Sequence, residues 1–178
     1  TPSIMTTIEW IRAHWIHHNQ QIILFERMAP LIEQLFAKGA GRRSVSCILS
    51  GEPSIGKSTI ALQAIRRRYC QTNAKEPLHQ LCGACRQLYN GIHPDVLLLG
   101  CDEQEQTLSN EELRHAKDRL SHSSWGGSGM SIILIEAHRM SNTSANSILK
   151  AIEETNHGVE WILTTQFPQR ITSTIRSR

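Results

Sequence analysis

Long apolar runs are missing from this sequence. No stretch approaches the roughly 20 residues of a membrane span, and no basic segment near the N-terminus leads into an apolar signal core, so a cytoplasmic protein is expected. Internal repeats and low-complexity tracts are missing too, which sets aside repeat architectures. A strong net charge is also absent. Nineteen Lys and Arg against sixteen Asp and Glu leave a formal charge of +3, which allows an acidic partner without establishing nucleic-acid binding. Without an export signal, the five cysteines (Cys47, Cys70, Cys82, Cys85 and Cys101) point to free thiols or a metal rather than to disulfides.

What is present begins with length. A chain of 178 residues suits one α/β domain with a small insertion, and a hydrophobic content of 39% lets it bury a core. The first residue is not Met and the sequence stops after Ile175-Arg176-Ser177-Arg178, so a piece of a longer protein is expected.

The segment that organises the rest is Gly51-Glu52-Pro53-Ser54-Ile55-Gly56-Lys57-Ser58, a full match to G-x-x-x-x-G-K-[ST]. It follows the apolar run Val45, Cys47, Ile48, Leu49 and leads into Thr59-Ile60-Ala61-Leu62, which reads as strand, glycine turn and helix. A bare glycine backbone wraps a phosphate with N–H groups, and the N-terminus of the following helix points at the same anion. Lys57 is expected to reach the terminal phosphates and Ser58 to ligate Mg²⁺.

Residues 4 to 38 carry apolar positions at helical spacing, from Ile8, Ile11 and Trp15 to Leu31, Leu35 and Phe36, and predict two helices interrupted before Pro30. His14, His17 and His18 read as solvated residues of an amphipathic helix, since no carboxylate or cysteine joins them at ligand spacing. Arg66-Arg67-Arg68 closes the phosphate-loop helix where its dipole favours cations. Cys70 and the pair in Cys82-Gly83-Ala84-Cys85 offer three soft ligands, one fewer than a closed zinc site, and His79 is a possible fourth. Zinc and free thiols both remain open on these residues.

Further along, Val96-Leu97-Leu98-Leu99 predicts a buried strand after the turn Asn90 to Asp95, and Ser109-Asn110-Glu111-Glu112 predicts a helix start. Ser131 to Glu136 is an apolar strand ending in a carboxylate. In phosphate-loop enzymes such an end commonly holds Mg²⁺ and polarises the attacking water, two tasks for which Glu136 is the sole acid here. A helix over Ser141 to Thr155 and a strand over Glu160 to Thr165 follow, and Thr165 is a candidate to face a terminal phosphate. The alternation of strands and helices predicts an α/β fold, a parallel sheet flanked by helices.

Taken together, Gly51 to Ser58, Cys70, Cys82 to Cys85, Gly91-Ile92-His93-Pro94-Asp95, Ser144 to Glu154, Ile162 to Thr165 and Thr174 to Arg178 resemble the bacterial DNA polymerase III clamp-loader family. The likeness runs over residues 45 to 178 and is strongest to its delta-prime branch, with gamma/tau as the near relative. It implies an AAA+ phosphate-loop module with N-terminal helices over 1–44, a nucleotide-binding core over 45–178 and a cysteine-containing insertion at about 70–90. C-terminal lid and collar domains are absent from these residues. The resemblance further implies ATP and Mg²⁺ as cofactors, with Gly51 through Thr59 and Thr165 around the nucleotide, and zinc on Cys70, Cys82 and Cys85. The implied partners are the gamma/tau and delta subunits, the sliding clamp and primed DNA, and the implied setting is the polymerase III holoenzyme.

Two departures stand out. The position of the family's Mg²⁺-binding aspartate is Ile135, and the fourth cysteine of its zinc module is replaced by Leu88. Both imply a delta-prime-like subunit that binds ATP weakly or without efficient hydrolysis and presents Arg178 in trans to a neighbour's ATP. A gamma-type ATPase working through Glu136, or a nucleotide-independent scaffold, are the alternatives.

Overall fold

The computed structural model describes residues 7–15, 45–72, 81–100, 110–121, 129–154 and 158–176. Within them the chain runs α1 (Thr7–His14), β1 (Val45–Ser50), α2 (Lys57–Tyr69), α3 (Gly83–Tyr89), β2 (Val96–Leu99), α4 (Asn110–Ser121), β3 (Met130–Leu134), α5 (Asn142–Glu154), β4 (Val159–Thr165) and α6 (Ser173–Arg176), with 3-10 turns at Ala137–Arg139 and Pro168–Arg170. The strands form one parallel sheet in the order β1-β4-β3-β2. This is the α/β architecture expected, and α3, between α2 and β2, carries Cys85.

The strands read as near-continuous apolar runs because both sheet faces are covered. Side chains alternate between two cores. Ile133 and Ile162 join Ile11, Ile60, Leu62, Ile65 and Leu88 on the face covered by α1, α2 and α3. Ile132, Leu134, Trp161 and Leu163 join Leu113, Ala116, Ile148 and Ile175 on the face covered by α4, α5 and α6. β3 is shorter than the expected strand: the Ile135 N–H still donates to the Leu99 carbonyl at 2.9 Å, and the chain turns away at Glu136. Glu136 adopts a left-handed conformation (φ 51°, ψ 51°) that turns the chain into the first 3-10 turn.

The arginines in the last turn of α2 have specific work in the fold. The Arg66 guanidinium lies 4.7 Å from the centre of the Trp15 ring, and Arg68 forms an ion pair with Glu160. Glu160 in turn accepts from the Ser131 hydroxyl at 3.1 Å. The Tyr69 hydroxyl reaches the same Ser131 at 3.1 Å and the Gly129 carbonyl at 2.8 Å. These buried polar groups tie α2, β3 and β4 together at the N-terminal edge of the sheet.

Beside them, Gly129 has φ +83°, and a Cβ there would collide with the Gly158 carbonyl oxygen. The position accepts only glycine. His17, His18, His79, Cys101 and Arg178, the two predicted helices beyond residue 15, and Ser109 of the predicted helix start lie outside the described residues.

Candidate functional site

Strand order decides what meets what. β4 lies between β1 and β3, so its last residues, Thr164 and Thr165, separate the phosphate loop at the end of β1 from Glu136 beyond the end of β3. All three groups gather at the carboxyl edge of the sheet, where open parallel sheets bind ligands.

The loop begins where the Gly51 N–H donates to the Thr165 carbonyl at 3.2 Å. Glu52, Pro53, Ser54 and Ile55 are exposed, and Ser54 holds a positive φ of 58°. Gly56 stands at φ 96°, ψ 14° immediately before α2, a conformation that favours glycine. Lys57, Ser58 and Thr59 form the first turn of α2, whose leading N–H groups have no partners within the helix. Lys57 is buried and folds over its own loop, with Nζ 2.9 Å from the Gly51 carbonyl oxygen and 2.8 Å from that of Glu52. A buried lysine beside the leading N–H groups of a helix is suited to an anion of phosphate type.

Across Thr165, Glu136 is fixed from several sides. Its backbone N–H donates to the Thr164 hydroxyl at 3.0 Å, and its carboxylate accepts from the Gln166 side-chain amide at 3.1 Å. His138 Nδ1 lies 3.5 Å from the same carboxylate oxygen and 3.1 Å from the Thr165 hydroxyl. The His138 ring meets Phe167 edge to face at 5.0 Å. Burial lowers the His138 pKa, Glu136 opposes that shift, and Arg170, Arg139 and Lys57 add to it, so the ring is neutral at neutral pH. Ile135, directly before Glu136, is buried in the core beneath α2 and α3. A branched alkyl side chain there has no electron pair for a metal.

The structure therefore brings together the loop, Lys57, Thr165 and Glu136. Sequence reasoning missed His138 and Gln166 as parts of this edge. Their signals were a histidine two residues beyond the strand-end acid and a glutamine directly after the paired threonines.

A second cluster lies under α3. The ligand atoms of Cys70, Cys82 and Cys85 lie within 4.8 Å of one another, the one such group of potential metal ligands among the described residues. Zinc–thiolate bonds of about 2.3 Å place tetrahedral sulfurs about 3.8 Å apart, so the three thiols fit that ion. Burial opposes ionisation of Cys82, yet hydrogen bonds from the Cys85 and Gln71 backbone and from neighbouring thiols bring it down to about 7. Burial and the adjoining Cys70 push Cys85 up to about 12. Leu88, one helical turn beyond Cys85, packs into the apolar core.

Comparison with known proteins bears on the family and the fold. The model of the family described as DNA polymerase III, delta subunit, matches residues 26–178. The chain is 28% identical over 155 residues to the DNA polymerase III subunit delta' of Escherichia coli (strain K12), covering 85% of this chain and 46% of that protein. It is 30% identical over 138 residues to the subunit gamma of Buchnera aphidicola subsp. Acyrthosiphon pisum (strain APS), covering 78% of this chain and 37% of that one. The chain thus spans less than half the length of these curated relatives.

A crystal structure of a DNA polymerase III gamma subunit-related protein from Thermotoga maritima aligns at a TM-score of 0.58 and 23% identity, over 86% of this chain and 43% of that one. That likeness speaks for the fold, a parallel sheet flanked by helices. Because the family match takes in every described element except α1, this chain belongs to the DNA polymerase III delta-subunit family, among the clamp-loader proteins.

Proposed function

We propose that this chain serves as a delta-prime-like subunit of the DNA polymerase III clamp loader, taking part in the ATP-dependent loading of the sliding clamp onto primed DNA. Its partners in this reading are the gamma/tau and delta subunits, and through the complex the clamp and the DNA, in the cytoplasm. The observation that carries it is the pairing of a complete phosphate loop, with Lys57 turned inward, and a strand end whose first acid position is the buried Ile135. Such a site holds a nucleotide but lacks one of the two acids that turnover needs.

In this reading the loop N–H groups of Glu52, Ser54, Ile55 and Gly56 and those of the first turn of α2 would surround the phosphates, Lys57 would exchange its carbonyl partners for phosphate oxygens, and Ser58 would hold Mg²⁺. The metal, when bound, neutralises charge on the phosphates. Arg178, outside the described residues, is presented to the ATP of the adjoining subunit, where a fixed planar cation stabilises charge on the transferring group. Cys70, Cys82 and Cys85 hold zinc with a fourth ligand not among the described residues. A gamma-type ATPase is the second reading, favoured by Glu136 standing at the same edge.

The deciding experiment is an equilibrium titration of the chain with a fluorescent ATP analogue and Mg²⁺, beside Lys57→Ala. Binding in the micromolar range, about 8 kcal/mol at 1 μM, with loss in the variant is the expected result. No binding by either protein overturns the nucleotide part. In the assembled loader, Arg178→Ala is expected to lower ATPase while this chain's own nucleotide affinity stays unchanged; equal loss of both overturns the trans role.

A further inference from the structure

Thr165 is wholly buried, and its hydroxyl oxygen has two partners. The Phe167 N–H donates to it at 3.1 Å, and His138 Nδ1 lies at 3.1 Å. A hydroxyl has one proton to give and two lone pairs to receive, so the tautomer of His138 decides what remains. If Nδ1 is bare, it takes the Thr165 proton and the hydroxyl has nothing left to donate. If Nδ1 carries hydrogen, both lone pairs of Thr165 are filled. Its proton then has no other acceptor among the described residues.

The neighbour that selects between these forms is Glu136. Its carboxylate oxygen lies 3.5 Å from the same Nδ1 and accepts hydrogen bonds without being able to give one. A bare Nδ1, even while it accepts from Thr165, would set its nitrogen lone pair against that anionic oxygen. A protonated Nδ1 instead offers one hydrogen to two acceptors. Phe167 holds the ring plane from the side, so the imidazole is not free to turn the choice over.

We propose that His138 is a positioning residue which, as an Nδ1–H donor shared by Glu136 and Thr165, keeps the Thr165 hydroxyl as a donor for the terminal phosphate of a bound nucleoside triphosphate. The proposal rests on the nucleotide-binding reading above and adds to it a determinant of nucleotide choice. Thr165 adjoins the start of the phosphate loop through the Gly51 N–H bond to its carbonyl; in the nucleotide-binding reading its hydroxyl, buried without ligand, meets the phosphate furthest from the nucleoside once the edge opens to the triphosphate. A diphosphate lacks the group this donor would meet. Preference for triphosphate over diphosphate is the property His138 controls, and simple affinity for either is not.

Two measurements test it. Nitrogen NMR of the His138 imidazole in the wild-type chain, above its titration range, is expected to show the Nδ1–H tautomer; the Nε2–H tautomer overturns the proposal whether or not nucleotide binds. In competition titrations with ATP and ADP, His138→Phe and Thr165→Val are each expected to lower the ATP-over-ADP preference about tenfold, about 1.4 kcal/mol, with little further loss in the double variant. His138→Asn, whose amide nitrogen stands near the place of Nδ1, is expected to restore most of it. A His138→Phe variant that loses ATP and ADP affinity equally, or keeps the wild-type preference where Thr165→Val loses it, overturns the proposal and leaves nucleotide binding standing. A wild-type chain that binds neither nucleotide, like Lys57→Ala, removes both readings together.

Discussion

The side-chain amide of Gln166 donates to the carboxylate of Glu136 at 3.1 Å, so the acid beyond the end of β3 is already engaged by the residue that follows β4. A carboxylate held this way, with the apolar Ile135 before it, is poorly placed to activate water. We expect Glu136→Gln to leave ATP affinity within about twofold and to change the ATPase of the assembled loader by no more than that. Removing a working general base costs about 10²–10⁴-fold. Steady-state ATPase of the assembled complex separates the outcomes, and a fall to background would establish the gamma-type reading.

Zinc is expected to co-purify with the chain on Cys70, Cys82 and Cys85, whose ligand atoms already converge within 4.8 Å. Elemental analysis of protein prepared without chelator should find about one zinc per chain, lost in Cys85→Ser, and chelation should lower the unfolding temperature because structural zinc binding contributes to folding. Metal content near zero retires the site and leaves three free thiols.

Gly129→Ala should be strongly destabilising. The residue occupies φ +83°, and the added methyl would meet the Gly158 carbonyl, which is backbone and cannot move aside alone. The conformational strain costs about 1–3 kcal/mol before the collision is counted. Urea denaturation measures it, and a loss below about 1 kcal/mol would contradict the packing described at this edge.

Acid sensitivity should come in part from His93. Its Nδ1 accepts from the Asp95 N–H at 3.2 Å and its ring lies 4.5 Å from Tyr69. Burial lowers its pKa, with Asp95 opposing and Arg119 adding. The neutral ring is therefore favoured by folding. Its stability contribution is complete above the unfolded value of about 6.5 and is lost as pH falls below that value through the folded pKa. Urea midpoints measured downward from neutral pH should decline less steeply in His93→Phe. Part of the slope should remain, because His138 is lowered in the same direction. An unchanged slope would remove His93 as a cause.

Much of this arrangement was legible in the residues. Gly51 to Ser58 is a local pattern, and the apolar runs at 96–99, 131–135 and 160–165 announce strands without help from the rest of the chain. Three things were not readable locally. The insertion of β4 between β1 and β3 depends on pairings between distant segments. The left-handed turn at Glu136, which takes the acid out of the strand, depends on the Thr164 hydroxyl that meets its amide. Arg66 looked like a cation at a helix end, but it lies over Trp15 from a helix whose packing no local spacing specifies. His138 was visible only as a residue beside the acid. Its bond to Thr165 exists because the sheet order places those two turns together.

The central place of β4 also sets an order of assembly. β1 and β3 do not pair with each other; each pairs in parallel with β4, the last described strand in the chain. During synthesis, β2 and β3 have their partners before β1 has any. The sheet, and with it the ligand edge, becomes continuous only after residues 159–165 are in place. Closing a parallel pairing over the span from Val45 to Glu160 is a late, entropically costly event. Until then β1 carries an unpaired strand edge toward solvent, the kind of surface that chaperones cover and that aggregation exploits.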